Sequence, residues 1–191
     1  MTSLGGFFMK KFSTKILTEA AVMIALSIVL GRFKIFEMPQ GGSITLGQMI
    51  PLLFFAIRHG AGYGLVVGAV YGVLDMLLGG YIYTPIQAIL DYPLAFGLLG
   101  LAGCFSKQIV SEGKSFYVPV AVIVGVLGRF ICHVLSGYIF FAEYAEGSGH
   151  GPLMYSVIYN GTFLGVEAVI AFVIILILAK NVLLYGLDKS R

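Results

Sequence analysis

Long apolar runs separated by short polar segments make up most of this chain. A helix that crosses a bilayer needs about 20 largely apolar residues, and the pattern predicts six such spans. They cover approximately residues 15–32, 44–58, 61–79, 85–105, 116–141 and 153–183. The second span is short, whereas the fifth and sixth are long enough to tilt. We therefore predict an all-α, polytopic membrane protein in which residues 1–191 form a single six-helix transmembrane domain.

The composition agrees with this class. Hydrophobic residues make up 59% of the chain and charged residues 11%, whereas a soluble domain carries about 25% charged residues. The basic and then apolar N-terminus resembles a signal peptide, but no small-residue cleavage site precedes Arg32 and Lys34. We interpret this segment as an uncleaved first helix. Cys104 and Cys132 both fall in apolar segments, where we expect them to pack as free thiols.

The distribution of Lys and Arg predicts the orientation. Cytoplasmic loops carry the excess of basic residues. If both termini are cytoplasmic, nine of the 12 basic residues lie inside, namely Lys10, Lys11, Lys15, Arg58, Lys107, Lys114, Lys180, Lys189 and Arg191. Arg32 and Lys34 then fall in the first outer loop, and Arg129 lies within a span. Both termini are therefore predicted to be cytoplasmic.

Small residues recur at helical spacing in two spans. Glycines lie four residues apart at Gly60, Gly64, Gly68 and Gly72. This places them on one face of the third helix, where we expect close helix packing. Ala21 and Ala25, with Ala20 beside them, form a similar patch on the first helix. The spacing alone leaves two interpretations of that patch open, internal packing or contact with another membrane protein.

Enzyme motifs are incomplete in this chain. The sequence EGKS at 112–115 resembles the end of a phosphate-binding loop, but Gln108 stands where that loop requires glycine. The histidines His59, His133 and His150 lack the spacing of a zinc site. We therefore predict that the chain is not an enzyme, and we expect no cofactor, no metal and no nucleic acid.

Ionisable side chains inside the spans are the main functional candidates, because they are costly in a bilayer unless paired or solvated. They are Asp75, Asp91, Arg129, His133 and Glu167, with Asn160 as a neutral companion. At about 1.5 Å per residue, Asp91 lies roughly 9 Å, His133 roughly 12 Å and Asn160 roughly 10 Å below the outer ends of their helices. This common depth predicts a pocket in the outer half of the bundle.

The surroundings of Asp91 allow a more specific hypothesis. Arg129 shares a helix face with His133, and it could pair with Asp91 when the pocket is empty. Pro93 weakens the hydrogen-bond ladder of its helix and can open a cavity there. Glu167 is deeper, without an obvious neighbour, and is assigned a structural role. A structural Asp91–Arg129 pair, a core histidine at His133 and a helix–helix hydrogen bond at Asn160 remain alternatives.

Aromatic residues cluster at the same level. They are Tyr81, Tyr83, Tyr92, Tyr138, Phe140, Phe141, Tyr144, Tyr155 and Tyr159. Interfacial tyrosines are common in membrane proteins, so a single one carries little information. A carboxylate among aromatic faces nevertheless suits a small, flat organic cation.

Three segments carry a resemblance to a known family. They are MPQGGSITLGQMIPLLFFAIRHG, GGYIYTPIQAILDYPLAFGLLGLAG, and GRFICHVLSGYIFFAEYAEG followed by YSVIYNG. The chain resembles the thiamine-specific substrate-binding (S) components of energy-coupling-factor vitamin transporters, from the first helix to the last. The resemblance implies a bacterial plasma-membrane protein that binds thiamine from outside. It also implies docking on a transmembrane T component that carries two ATPases.

The resemblance also implies roles for individual residues. Asp91 matches the acidic residue that faces the thiazolium cation. The other substrate-binding positions match Tyr81, Tyr92, Arg129, His133, Tyr155 and Asn160. Ala21 and Ala25 match the contact surface for the T component. Some members stack thiamine on tryptophan, which this chain lacks; we expect Phe141 to replace it and the first loop around residues 40–42 to cover the site.

Two other functions remain open. An S component for another vitamin would keep the fold but prefer a neutral or anionic ligand. A stand-alone carrier coupled to protons or sodium would use Asp91 and Arg129 as a relay.

Overall fold

The computed structural model describes residues 12–39 and 41–178. The described part contains six helices of 11 to 27 residues. They are α1 (Thr14–Arg32), α2 (Met49–His59), α3 (Ala61–Leu77), α4 (Pro85–Ser111), α5 (Tyr117–Phe140) and α6 (Pro152–Leu178). The predicted end of the sixth span at 179–183 lies outside the described residues, as do Gln40 and the basic residues Lys10, Lys11, Lys180, Lys189 and Arg191.

Four of these helices, α1, α4, α5 and α6, are long and apolar enough to cross a membrane. The other two are shorter, with 11 residues in α2 and 17 in α3. Every residue from Met49 to Ile57 is buried, so α2 is the central helix of the bundle. The predicted all-α, six-helix membrane fold is therefore confirmed. The cytoplasmic position of both termini and the single domain over 1–191 stay predictions.

A small hairpin precedes α2. Strand β1 (Lys34–Glu37) pairs antiparallel with β2 (Ser43–Thr45). Gly41 in the connecting turn has a φ of 95°, a conformation that favours glycine. The second predicted span begins at residue 44, whereas α2 begins at Met49, because residues 43–45 belong to the hairpin.

The glycine face of α3 packs against α4, as the spacing predicts. A Cβ atom at Gly68 would clash with the Phe96 carbonyl oxygen, and one at Gly72 with the Tyr92 carbonyl oxygen. Gly60 has a different role, because it forms the turn between α2 and α3 with a φ of 96°. The close approach of α3 fixes the position of the α4 segment that carries Asp91.

That segment of α4 is a π-helical turn, Leu90–Leu94, which contains Pro93. The Ala95 N–H donates to the Leu90 carbonyl, five residues back. Proline removes one donor from the ladder, and the wider turn accommodates it. Such π turns occur frequently at functional sites, and this one presents Asp91 and Tyr92 to the bundle interior.

Candidate ligand-binding site

A cavity of about 240 Å³ lies where the hairpin, the α3–α4 loop and the adjoining ends of α4, α5 and α6 meet. All eight substrate-binding residues expected from the resemblance line it: Tyr81, Asp91, Tyr92, Arg129, His133, Phe141, Tyr155 and Asn160. Gly41 and Gly42 of the first loop also line it. The structure thus brings the predicted residues together, while their contact with a ligand stays a prediction.

Asp91 is held by three hydrogen-bond donors. Gln87 Nε2 and Ser136 Oγ each lie 2.7 Å from Asp91 Oδ2. His133 Nδ1 lies 2.9 Å from Asp91 Oδ1. Two of these donors were not predicted, although sequence spacing points to both. Gln87 precedes Asp91 by four residues and Ser136 follows His133 by three, so each shares a helix face with its neighbour.

Arg129 does not pair with Asp91, so that prediction is wrong. Arg129 Nη1 lies 3.3 Å from Glu167 Oε2, and both side chains are buried. The guanidinium also lies over the Phe96 ring, 4.2 Å from its centroid. The expectation that Glu167 lacks a neighbour is wrong for the same reason. Arg129 is one turn deeper than His133 and Glu167 two turns deeper than Asn160, which brings both to a similar level.

The hydrogen bonds around His133 indicate its protonation. Arg129 Nε donates to His133 Nε2 over 3.2 Å. Because Nε2 accepts this bond, the ring proton lies on Nδ1, which donates to Asp91. His133 is therefore a neutral imidazole in this arrangement. The carboxylate of Asp91 receives three neutral donors, and no lysine or arginine in the described part of the chain forms an ion pair with it.

The α3–α4 loop is tied to α4 beside Asp91. Tyr81 N donates to Tyr92 Oη over 2.6 Å. Gln87 accepts from Tyr83 N over 2.8 Å and donates to the Tyr81 carbonyl oxygen over 3.2 Å. Gln87 therefore connects the loop to the carboxylate, because the same Nε2 atom also donates to Asp91.

Aromatic rings form one side of the cavity. The Phe141 ring lies 6.2 Å from Tyr81, 5.7 Å from Tyr83 and 6.1 Å from Tyr144, measured between centroids. On α6, Tyr155 and Tyr159 stack at 6.1 Å. Phe141 thus lies beside Tyr81 and Tyr144 in the cavity wall, and its replacement of a stacking tryptophan stays a prediction.

Asn160 forms a hydrogen bond between α6 and α5, which was the structural alternative to a ligand-binding role for this residue. Its Nδ2 atom lies 2.9 Å from the Ser156 carbonyl oxygen and 3.3 Å from the His133 carbonyl oxygen. Ser156 in turn donates to the Val134 carbonyl oxygen over 2.9 Å. These bonds fix α6 against α5 while Asn160 still lines the cavity.

The hairpin side of the cavity carries four charged residues, of which only Asp75 was among the functional candidates predicted from the sequence. Lys34 and Glu37 line the cavity and form an ion pair of 2.7 Å. Arg32 also lines it and donates to the Leu78 carbonyl oxygen over 2.8 Å. Asp75 of α3 lines the same cavity and is half-buried. Three of these residues, Arg32, Lys34 and Glu37, lie in the predicted first loop. The helical rise gives a depth only for residues within a helix, so it says nothing about the positions of these three.

A family model described as "Thiamine transporter protein (Thia_YuaJ)" matches residues 17–185. The match includes every residue of the cavity wall. The chain belongs to this family.

Individual members agree with the family match. The thiamine transporter ThiT of Bacillus subtilis is 36% identical over 171 residues, which cover 85% of this chain and 86% of that protein. ThiT of Lacticaseibacillus paracasei is 31% identical over 157 residues, covering 76% and 77%. A solved structure of ThiT from Listeria monocytogenes superposes with a TM-score of 0.79 at 32% identity, covering 87% of this chain and 94% of the other.

The family and the apolar helices establish a multi-pass cell-membrane protein. Its α1 is the least embedded of the membrane-length helices, with only Ala20 and Ser27 buried. Ala21 and Ala25 are both exposed. Ala21 also lines a groove of about 280 Å³ between α1 and α3. Contact of these two alanines with a partner protein stays a prediction.

Proposed function

We propose that this chain is the thiamine-binding S component of an energy-coupling-factor transporter and that it serves thiamine uptake. The observation that carries the proposal is the state of Asp91. Its carboxylate faces a cavity, accepts bonds from neutral Gln87, Ser136 and His133, and forms no ion pair with Arg129. A carboxylate held in this way at the cavity wall is suited to pair with a cationic ligand.

Thiamine matches this cavity chemically. Its thiazolium ring is a permanent, flat cation, and its aminopyrimidine ring offers both donors and acceptors. Cations are attracted to aromatic faces as well as to carboxylates, and Phe141, Tyr81 and Tyr155 line the same cavity as Asp91. The names of the relatives, thiamine transporters, support the same ligand.

The proposal includes the partners. Uptake depends on a membrane T component and two ATPases that hydrolyse ATP, while this chain is not an enzyme and uses no cofactor. The resemblance to S components and the incomplete phosphate-binding motif at 112–115 support this division of roles. The lipid bilayer surrounds the chain and no nucleic acid takes part.

A binding screen with purified protein tests the ligand assignment. Calorimetry suits it, because the chain has no tryptophan to report binding by fluorescence. We expect thiamine to bind and neither riboflavin nor biotin to compete with it. Competition by either vitamin would mean that the protein is an S component for a vitamin other than thiamine.

Liposomes test the dependence on ATP. A stand-alone carrier would need Asp91 and Arg129 as a relay, but Arg129 is paired with Glu167. We expect no uptake driven by a proton or sodium gradient in ATP-free liposomes that contain this chain alone. Uptake under those conditions would contradict the proposed partnership.

A further inference from the structure

Arg129 of the cavity wall forms a buried ion pair with Glu167, which does not itself line the cavity. Glu167 is 1% exposed and Arg129 4% exposed. A buried ion pair is weak evidence for stability, because desolvation of both charges offsets their attraction. The pair therefore calls for an explanation other than stability.

Both oxygens of Glu167 are engaged. Oε2 faces Arg129 Nη1. Oε1 accepts from the Thr45 backbone N–H over 2.9 Å and from the Thr45 hydroxyl. Thr45 is itself fixed, because its hydroxyl accepts from the N–H groups of Gly47 and Gln48 at the start of α2. Glu167 is thus held at one position, and it holds Arg129 there.

Arg129 and Asp91 approach the same histidine from opposite sides. Arg129 contacts His133 Nε2 and Asp91 contacts His133 Nδ1. One imidazole ring therefore separates a guanidinium from the carboxylate that faces the cavity. Without Glu167, two acidic side chains of the cavity wall would compete for Arg129, namely Asp75 and Asp91, and only Asp91 shares the imidazole of His133 with it. Opposite charges this close in a low-dielectric interior attract strongly.

We propose that Glu167 is a specificity-determining residue that withholds the charge of Arg129 from Asp91 and so preserves the preference of the cavity for a cation. This inference rests on the proposed function, because it takes thiamine as the cation. Glu167 acts through Arg129 and is a positioning residue; it does not contact the ligand.

The test compares thiamine with its neutral analogue in which a thiophene ring replaces the thiazolium. Calorimetry gives the affinity of each variant for both ligands, and their ratio measures the preference for charge. In Glu167→Gln, Arg129 is released towards Asp91. We expect the thiamine affinity to fall about tenfold while the affinity for the analogue changes by less than about twofold, because only the cation depends on the charge of Asp91.

Two further variants separate charge from packing. Glu167→Asp keeps the charge, so we expect a ratio within about threefold of the wild type. The double variant Arg129→Met, Glu167→Gln removes both charges together, a replacement that buried pairs often tolerate. With no guanidinium near Asp91, its ratio stays at or above the wild-type value, even where both affinities fall because Arg129 lines the cavity. Thr162→Val on α6, whose hydroxyl bonds the Ile158 carbonyl oxygen at the exposed surface, is the matched control.

The outcomes are distinct. Equal losses for both ligands in Glu167→Gln would mean a structural role and would overturn the inference. A double variant with a ratio about tenfold below the wild-type value would also overturn it, and this result is decisive even where Glu167→Gln does not fold. Wild-type protein that binds no thiamine would overturn the proposed function and this inference with it. Thiamine binding with an unchanged ratio in Glu167→Gln would overturn the inference alone.

Discussion

Side chains around Asp91 are linked by hydrogen bonds across α4 and α5, whereas the face of α1 that carries Ala21 and Ala25 is small, apolar and exposed. The cavity residues are held in fixed positions by neighbours from several elements. Of all the residues of α1, only Ala20 and Ser27 are buried against the bundle. A site that recognises a small ligand needs this preorganisation, and a surface that meets another membrane helix needs small residues that allow close approach.

The difference between these regions implies that binding and transport are separable. Changes in the cavity should alter affinity, and changes on α1 should alter only the coupled step. Substitutions in the two regions test whether binding and transport respond separately.

The largest effect is expected on α1. Replacing Ala21 or Ala25 with leucine adds bulk at a helix contact surface and should abolish thiamine uptake by the assembled transporter. Thiamine affinity should change by less than about twofold, because close packing of small residues matters at the contact and not in the cavity. Uptake in vesicles and calorimetry on the isolated chain measure the two properties.

Val22→Leu is the matched control, since Val22 is also exposed on α1. It should leave both properties unchanged. Unchanged uptake in both alanine variants would remove the partner role of this surface, and loss of binding together with uptake would indicate misfolding.

The next effect is expected at Asp91. Asp91→Asn keeps the shape of the side chain and removes its charge, so thiamine affinity should fall by about tenfold or more, equivalent to about 1.4 kcal/mol. Titration calorimetry measures it. Unchanged affinity would mean that the cation does not face this carboxylate.

A smaller effect is expected at Ser136. Ser136→Ala removes one of the three donors to Asp91, and a hydrogen bond to a charged group is worth about 1.5–3 kcal/mol. The two remaining donors compensate in part, so we expect a loss of about threefold to tenfold in thiamine affinity. Calorimetry on the variant measures this loss.

Ser27→Ala is the control for Ser136. Ser27 is buried in α1, and its hydroxyl has no hydrogen-bond partner in the described part of the chain. An equal effect of both alanine substitutions would assign the loss to helix packing in general.

The smallest effect is expected at Phe141. Phe141→Leu keeps an apolar side chain but removes the aromatic face, and an exposed cation–π contact is worth about 0.5–1 kcal/mol. Thiamine affinity should therefore fall about threefold. The neutral analogue should lose less, which competition calorimetry can measure. A larger loss for the analogue would mean that Phe141 contributes bulk and not its aromatic face.

The common depth of Asp91, His133 and Asn160 could be predicted because helical rise is constant and the ends of three spans are marked by polar loops. All three line the cavity. The Arg129–Glu167 pair was missed because counting depth from approximate helix ends does not reveal which side chains meet across neighbouring helices. The direction of a side chain depends on helix rotation, which a single sequence does not specify.

The hairpin was missed for a different reason. Pairing of Lys34–Glu37 with Ser43–Thr45 is a contact between segments, and neither segment is long enough to show a clear alternation. The exposed pattern of β1 resembles a loop. Thr45 was therefore predicted only as part of the second span, at 44–58. Its hydrogen bond from the hairpin to Glu167 could not be predicted.

The charge on Asp91 is tested most directly by titrating wild type and Asp91→Asn with thiamine and with its neutral thiophene analogue. We expect the substitution to lower thiamine affinity about tenfold or more and to leave the affinity for the analogue within about twofold, because only thiamine carries the charge that pairs with the carboxylate. Equal losses for the two ligands would show that Asp91 serves the shape of the cavity, and they would contradict the cation–carboxylate assignment.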